Sequence, residues 1–284
     1  MKSLLSILIA ICFSVSALAI GQINIAYSPY TISQPGSYIV VKDLTTAINL
    51  NCITITTSNV TLDLNGHTLY GYGTTQFTSG TYGTGIMGTT SSYVAATAVL
   101  RVHNITVKNG TITNFRNYGV IFNGYNITLS DLKVISNSSA GISVSQNGII
   151  KDNIVAGNYS DGIQAGNGSI VMGNDVQSNL SSGIFANYAC LVKDNICRLN
   201  KGDGIRAYTE NQITGNQCNA NGNAGIHVQS NENTVVGNTC TLNSIGLLSD
   251  GTGNYFEQNK LHNTTNETLN GSTEGSGTLA NVQF

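Results

Sequence analysis

Charged side chains are scarce in this sequence. They make up 9% of the 284 residues, with 12 Lys and Arg against 14 Asp and Glu, which gives a formal net charge of −2. Proteins that bind nucleic acid or anionic membranes present clustered basic residues. No such cluster occurs in this sequence, so neither nucleic acid nor a membrane surface is expected as a partner.

Hydrophobic runs of membrane length are also missing beyond the first residues of the chain. Residues 1–19 carry one Lys, an apolar stretch from Leu4 to Phe13, and the small residues Ala17 and Ala19 at a typical cleavage spacing. This pattern predicts a secretory signal peptide that is cleaved near Ala19. We therefore expect a mature protein that is exported to the periplasm or the extracellular space and does not insert into a membrane. It would retain five of the six cysteines.

Runs of helix-forming residues are absent as well. Instead, a short sequence motif recurs between Gly141 and Leu261. Helical repeats need Glu, Lys, Leu and Ala, whereas this stretch is rich in Asn, Gly, Ser, Thr, Ile and Val. A glycine followed by an apolar residue returns every 21 residues. The pairs are Gly141-Ile142, Gly162-Ile163, Gly183-Ile184, Gly204-Ile205, Gly225-Ile226 and Gly246-Leu247.

Asparagines and apolar residues recur in the same stretch with the same period. One set of asparagines is Asn153, Asn174, Asn195, Asn216, Asn238 and Asn259, and a second is Asn137, Asn158, Asn179, Asn200, Asn221 and Asn243. Asparagine tolerates left-handed backbone, and its amide can bond both its own turn and the amide of the next repeat. We therefore interpret both sets as structural. The intervening apolar residues predict an interior.

A fixed period of this length indicates a solenoid, in which each repeat covers the apolar face of its neighbour. Leucine-rich repeats have a similar period, but they need several leucines and a helical return segment, and neither is present. Three strands of about five residues, each rising about 3.3 Å per residue, and three turns need about 21 residues. The sequence therefore predicts an all-β, single-stranded parallel β-helix with about 21–22 residues per coil, stacked about 4.8 Å apart.

The same pattern predicts the domain organisation. Residues 20–262 are expected to form one β-helix domain, in which residues 20–58 supply an N-terminal cap and the first strands. Insertions at about residues 70–97, between Tyr70 and Tyr82 and between Gly88 and Thr97, interrupt the period. Such insertions form surface loops that either bind a ligand or brace the first coils. Residues 263–284 are polar and are expected to form a C-terminal cap and tail.

The earlier part of the chain resembles a known family. The segment from Asn59 to Leu69 and the phrases Asn104-Ile105-Thr106-Val107 and Asn126-Ile127-Thr128-Leu129 resemble the pectate-lyase-like superfamily, and in particular its periplasmic copper-maturation β-helix repeats. The resemblance implies a right-handed coil. The members of this superfamily include polysaccharide lyases, hydrolases, uronate epimerases, phage tailspikes and coils without known activity, so the resemblance implies one of these functions.

The strand after each glycine should alternate between the interior and the solvent. The residue two positions after each glycine is then predicted to face outward, as for Gln164, Phe185, Arg206 and His227. On this face Arg206, Tyr208 and His227 form the densest polar group, with Asp203 at the preceding turn. We predict Arg206, His227 and Tyr208 as catalytic residues.

Arg206 would neutralise a uronate carboxylate, and His227 and Tyr208 would transfer protons at C5. Asp203, Gln229, Gln164 and Asn187 are predicted to contact substrate. A plain solvated polar face is the alternative.

Hydrolysis and metal binding are less well supported. Asp161 and Asp203 stand two coils apart, about 9.6 Å, which does not allow them to share one Ca²⁺ directly. Three Met and four His are scattered along the chain, so copper is not expected, and no cofactor or metal is predicted. Cys197, Cys218 and Cys240 continue an apolar column and are expected in the core, although one neighbouring pair could bridge.

Two functions follow as hypotheses. The first is a secreted, monomeric β-helix that interacts with polysaccharide, with lyase or epimerase activity ahead of hydrolysis. The second is a non-catalytic extracellular solenoid with a structural or binding role.

Overall fold

The structure is a computed structural model that describes residues 21–73, 82–89, 101–274 and 281–283. The described residues contain 31 strands and no helix. The N-terminal strands are β1 (Ile23–Ile25), β2 (Tyr30–Ile32), β3 (Gly36–Val40), β4 (Leu44–Thr45), β5 (Ile53–Ile55), β6 (Val60–Asp63), β7 (Thr68–Tyr70), β8 (Ile86–Gly88), β9 (Val102–Thr113) and β10 (Val120–Ile135).

The remaining strands follow the 21-residue period. They are β11 (Ile142–Gln146), β12 (Ile149–Lys151), β13 (Ile154–Ala156), β14 (Ile163–Asn167), β15 (Ile170–Met172), β16 (Asp175–Gln177), β17 (Ile184–Tyr188), β18 (Leu191–Lys193), β19 (Ile196–Arg198), β20 (Ile205–Thr209), β21 (Gln212–Thr214), β22 (Gln217–Asn219), β23 (Ala224–Val228), β24 (Thr234–Val236), β25 (Thr239–Thr241), β26 (Ile245–Ser249), β27 (Tyr255–Glu257), β28 (Lys260–His262), β29 (Thr265–Leu269), β30 (Thr273–Glu274) and β31 (Val282–Gln283).

The strands stack into three parallel faces that wind through about 11 coils. The first face contains β2, β5, β8, the start of β10, and then every third strand from β11 to β29. The second face runs from β1 to β30, and the third from β4 to β31. Ile163 pairs with Ile184, which pairs with Ile205, so equivalent residues lie directly above one another. The predicted parallel β-helix is confirmed.

The core consists of the inward side chains of all three faces. Ile163 on the first face, Val171 on the second and Val176 on the third are fully buried, as are their counterparts in neighbouring coils. A single coil cannot cover its own apolar side chains, so this interior forms only where neighbouring coils stack. The cysteines among the described residues are free thiols, and Cys197, Cys218 and Cys240 lie in the core column as predicted.

Buried asparagines hold the turns together. Asn195 Oδ1 accepts hydrogen bonds from the backbone N–H and the side-chain amide of Asn174, and Asn195 in turn donates its amide to Asn216. The second predicted column behaves in the same way, for example from Asn179 to Asn200. Both columns are therefore structural ladders that satisfy buried backbone groups. A third ladder through Asn211, Asn233 and Asn254 was not predicted.

The recurring glycines are required by close approach. A Cβ added at Gly183 would lie 2.6 Å from the carbonyl oxygen of Gly204 and 2.7 Å from the ladder amide of Asn200. The left-handed residues lie at other turns, for example Asp152 and Gly173 with φ of 57° and 67°. The glycine column and the asparagine ladder therefore depend on each other.

Several predictions fall wholly or partly outside the described residues. The signal peptide does, and so do 74–81 and 90–100, which hold much of the expected insertions. At the C-terminal end, strands β29, β30 and β31 lie within residues 263–284, the segment that was expected to form a cap and tail. None of the described residues forms a helix suited to crossing a bilayer.

Candidate functional site

The first face carries the predicted site on the outward positions of β17, β20 and β23. Phe185, Arg206 and His227 are partners in register on successive coils. Ile205 and Ala207 point into the core, which turns Arg206 and Tyr208 outward. The alternation of a parallel strand therefore sets which side chains reach the surface.

Arg206 is held between an aromatic ring and a carboxylate. Its guanidinium lies 4.8 Å from the centroid of the Phe185 ring, and its Nη2 is 3.5 Å from Asp161 Oδ2. Tyr208 meets the same Phe185 ring edge to face, with the ring centroids 5.8 Å apart. Arg206 Nε lacks a hydrogen-bond partner within the described part of the chain. Phe185 and Asp161 thus position the guanidinium, and its Nε–H is a buried donor without a partner.

Asp161 is a buried carboxylate that links the turn to this face. Its Oδ1 accepts the backbone N–H of Ser182 at 3.0 Å, and its Oδ2 accepts the amide of Gln164 at 3.0 Å. Its side chain is 5% exposed, against 30% for that of Arg206. The ion pair therefore sits at the wall of the face, with the carboxylate inside and the cation at the surface.

An open groove of about 350 Å³ lies beside Arg206. Gln164, Asn187 and Asp161 line it together with Arg206. Gly166 also lines the groove, and no larger residue fits there, because a Cβ would lie 1.8 Å from the carbonyl oxygen of Ser145. The arrangement joins one cation, one carboxylate and two amides around a shallow depression.

His227 belongs to a separate, buried cluster. Its Nδ1 lies 3.2 Å from Asp203 Oδ2, and its Nε2 lies 2.8 Å from Asp250 Oδ2. Asp203 also accepts the backbone N–H of Ala224 at 3.0 Å. Burial by itself would lower the pKa of His227, but the hydrogen bonds and charges of Asp203 and Asp250 outweigh it, so that the pKa is raised.

The position of His227 corrects one prediction. The side chain was expected to face solvent, but the residue is only 8% exposed, because both carboxylates close over the ring. The sequence contained a weak signal for this cluster. His227 follows Asp203 by 24 residues and Asp250 follows His227 by 23, slightly more than one coil, which allows diagonal contact between neighbouring coils.

The structure thus divides the predicted residues into groups. Gln164, Asn187 and Arg206 meet at the groove, and Tyr208 lies beside them against Phe185. Asp203 and His227 form the buried cluster. Gln229 follows β23, where its backbone N–H bonds to Ala207, and it does not line the groove.

Three contributions were not predicted: Asp161 as the partner of Arg206, Phe185 as its platform, and Asp250 as the second carboxylate on His227. Within the described residues, no group of three or more His, Cys, Asp or Glu side chains converges in a way that could hold a metal ion.

Comparison with known proteins identifies the architecture. A family model described as a right handed beta helix region matches residues 85–240, more than half of the chain. No curated protein matches.

Among solved structures, the chain is similar to the A-module of mannuronan C-5 epimerase AlgE6 from Azotobacter vinelandii. The TM-score is 0.64 with 14% sequence identity, covering 93% of this chain and 91% of that one. The Dettilon tailspike protein gives a TM-score of 0.65 with 16% identity, over 92% of this chain and 60% of that one. Pectate lyase Pel9A gives 0.54 with 12% identity, over 86% and 71% of the two chains. At these identities the likeness shows the fold, including the predicted right-handed coil.

Proposed function

Because the chain belongs to the right-handed β-helix family, we propose that its first face binds an acidic polysaccharide, with Arg206 as the carboxylate-binding group. The observation that carries the proposal is the way in which the Arg206 guanidinium is held beside the groove. Phe185 and Asp161 fix the guanidinium in place, yet its single ion-pair contact is long, at 3.5 Å. A preorganised guanidinium on a side chain that is 30% exposed suits a planar carboxylate, to which it can donate two parallel hydrogen bonds.

The rest of the groove suits sugar hydroxyls. The amides of Gln164 and Asn187 offer both donors and acceptors, and Ser143 and Ser145 add hydroxyls at the floor. Such groups bind hydroxyls well because each can reverse its role between donor and acceptor. The named activities of two structural neighbours concern mannuronan and pectate, which are both polymers of uronic acids. This chemistry supports a uronate-rich ligand.

A second candidate function is proton transfer at C5 of a uronate, as a lyase or an epimerase performs it. The observation that favours it is Tyr208, whose partly exposed phenol lies two residues beyond Arg206 on the same strand. His227 fits the role less directly, because both of its ring nitrogens already face carboxylates. It would have to release Asp250 before it could accept a proton from substrate.

The binding proposal is tested with polygalacturonate and mannuronan on wild type and on Arg206→Ala. Loss of a charge-assisted hydrogen bond costs about 1.5–3 kcal/mol, so we expect affinity to fall by about 10- to 100-fold, measured by isothermal titration calorimetry. Arg206→Lys should recover part of the loss. Since the contact is electrostatic and near the surface, wild-type affinity should also fall as salt is added.

Arg198 provides the matched control. It pairs with Asp175 on the third face, with its Nη2 2.9 Å from Asp175 Oδ2, away from the groove. Arg198→Ala should bind both polymers as wild type does. Equal binding by Arg206→Ala and Arg198→Ala would refute the proposed role of Arg206. Ultraviolet absorbance of unsaturated products and NMR of the C5 configuration, followed on the same polymers, would distinguish catalysis from binding alone.

A further inference from the structure

We propose that the groove selects uronates with free ring hydroxyls, because Gln164, Ser145 and Asn187 are held as hydrogen-bond acceptors beside the Arg206 cation. This inference rests on the proposed function and adds the specificity of the same site. The ligand's carboxylate would bind Arg206, and its hydroxyls would donate to the three side-chain oxygens.

Gln164 is oriented by a buried carboxylate. An amide can turn either end to a ligand, but Nε2 of Gln164 donates to Asp161 Oδ2 at 3.0 Å. The reverse orientation would place the Gln164 oxygen against a carboxylate that is only 5% exposed, and two acceptors repel each other. Asp161 therefore turns the nitrogen of Gln164 toward itself and leaves the oxygen for other partners.

The oxygen of Gln164 is open to a ligand. Within the described part of the chain, no protein group donates to Oε1, and this atom is not one of the buried polar atoms without a partner. Gln164 is half-buried and lines the groove. An acceptor that is neither bonded nor buried can accept a hydroxyl proton from a ligand in the groove.

Ser145 is a second acceptor. A serine hydroxyl carries one proton. Both protein atoms that contact Ser145 Oγ are themselves acceptors, namely the carbonyl oxygen of Phe122 at 3.2 Å and Oδ1 of Asn123 at 3.4 Å. The proton is therefore committed to the protein, and the lone pairs of this half-buried, groove-lining hydroxyl are left to accept from a ligand.

Asn187 completes the set on the next coil. Its Nδ2 donates to Asn167 Oδ1 at 2.8 Å, which leaves the oxygen of this exposed, groove-lining residue available. The groove thus offers one guanidinium and several oxygen acceptors. Its chemical complement is an anion that carries several O–H donors. A uronate with free hydroxyls meets this description, whereas a neutral sugar lacks the anion and an O-alkylated uronate lacks the donors.

The test uses disaccharides of galacturonate and mannuronate in which one ring hydroxyl at a time is replaced by fluorine. Fluorine is close to a hydroxyl in size but cannot donate a hydrogen bond. Wild type should bind at least one analogue about 2- to 10-fold more weakly than its parent, the range expected for one neutral hydrogen bond, as measured by NMR titration.

Three variants assign this penalty to its source. Gln164→Leu should abolish the penalty at one hydroxyl, because the acceptor is gone. Asp161→Asn should reduce the same penalty although Gln164 is unchanged, because the Gln164 amide can then turn. Arg206→Ala should weaken binding of parent and analogues alike, so that their ratio stays as in wild type.

Gln229→Leu is the matched control, because Gln229 is half-buried after β23 and does not line the groove. It should keep every wild-type penalty. The inference is overturned if wild type binds all analogues as tightly as the parents, or if Gln164→Leu matches this control. Either result leaves the role of Arg206 intact, provided that Arg206→Ala loses affinity for the parent disaccharide. Retention of that affinity by Arg206→Ala would overturn the proposed function instead.

Discussion

Individual side chains in this molecule are positioned by residues one coil away more than by their chain neighbours. His227 shows this clearly, since its two carboxylate partners come from the preceding and the following coil. The arrangement explains why a residue at an outward position became buried. Outward alternation fixes the direction of the side chain, but the neighbouring coils decide whether anything covers it.

The raised pKa of His227 gives stability a pH dependence of defined sign. A histidine whose pKa is higher in the folded than in the unfolded chain stabilises the fold while it is protonated, fully so below the unfolded value of 6.5. The contribution is lost as pH rises through the folded pKa. We therefore expect the wild-type Tm to fall more steeply than that of His227→Gln as pH rises above 6.5, as measured by circular dichroism.

His67→Gln is the matched control for this measurement. His67 pairs with Asp43, and the two side chains are 30% and 57% exposed. Exposed pairs contribute little to stability, so this variant should keep the wild-type slope. A His227→Gln variant with the same slope as wild type would show that the buried cluster does not govern the pH response.

At the scale of strands and turns, each glycine and the asparagine of the following coil form one unit. The glycine leaves room for the ladder amide and for the next coil's carbonyl group, and the asparagine satisfies buried backbone groups. Both residue types were visible as columns in the sequence. Their mutual contact was not, because the contacting residues lie 17 or 18 positions apart along the chain, as for Gly183 and Asn200.

Gly183→Ala tests this unit. Because its Cβ would approach Gly204 O and Asn200 Nδ2 within 2.7 Å, the coils must separate locally. Overpacking of this kind costs about 1–3 kcal/mol, so we expect lower stability in urea denaturation. Gly21→Ala is the control, since nothing lies within 4 Å of a Cβ at Gly21. Equal stability of the two variants would contradict the close-approach argument.

For the molecule as a whole, the C-terminal end of the stack carries a charge in its interior column. Glu267 pairs with Leu247, so it occupies the position that isoleucine or leucine fills in the preceding coils. Burial, reinforced by Glu274, raises the pKa of Glu267. An inward charge at the end of a sheet discourages another chain from adding on, which protects an otherwise open edge.

Glu267→Leu should therefore stabilise the end coil and promote association. Replacing the charge with an apolar side chain should contribute about 1 kcal/mol, or about 2–4 °C in Tm for a chain of this size. Sedimentation velocity should show a larger fraction of dimer for Glu267→Leu than for wild type. Glu232→Leu, at an exposed turn, is the control. A strictly monomeric Glu267→Leu protein would argue against this role for the charge.

The sequence by itself determined the coil length, the three-strand repeat, the core columns from Ile163 to Leu261 and the two main asparagine ladders. These features follow from the repeat length, because in a solenoid residues one repeat apart lie directly above one another. It also placed Arg206, Tyr208, Gln164 and Asn187 on one face. Only the tertiary structure decided that Phe185 and Asp161 hold Arg206 and that His227 is enclosed by Asp203 and Asp250. The physical reason is that these contacts are diagonal or irregular, so they depend on side-chain direction between coils, which a repeat pattern does not encode.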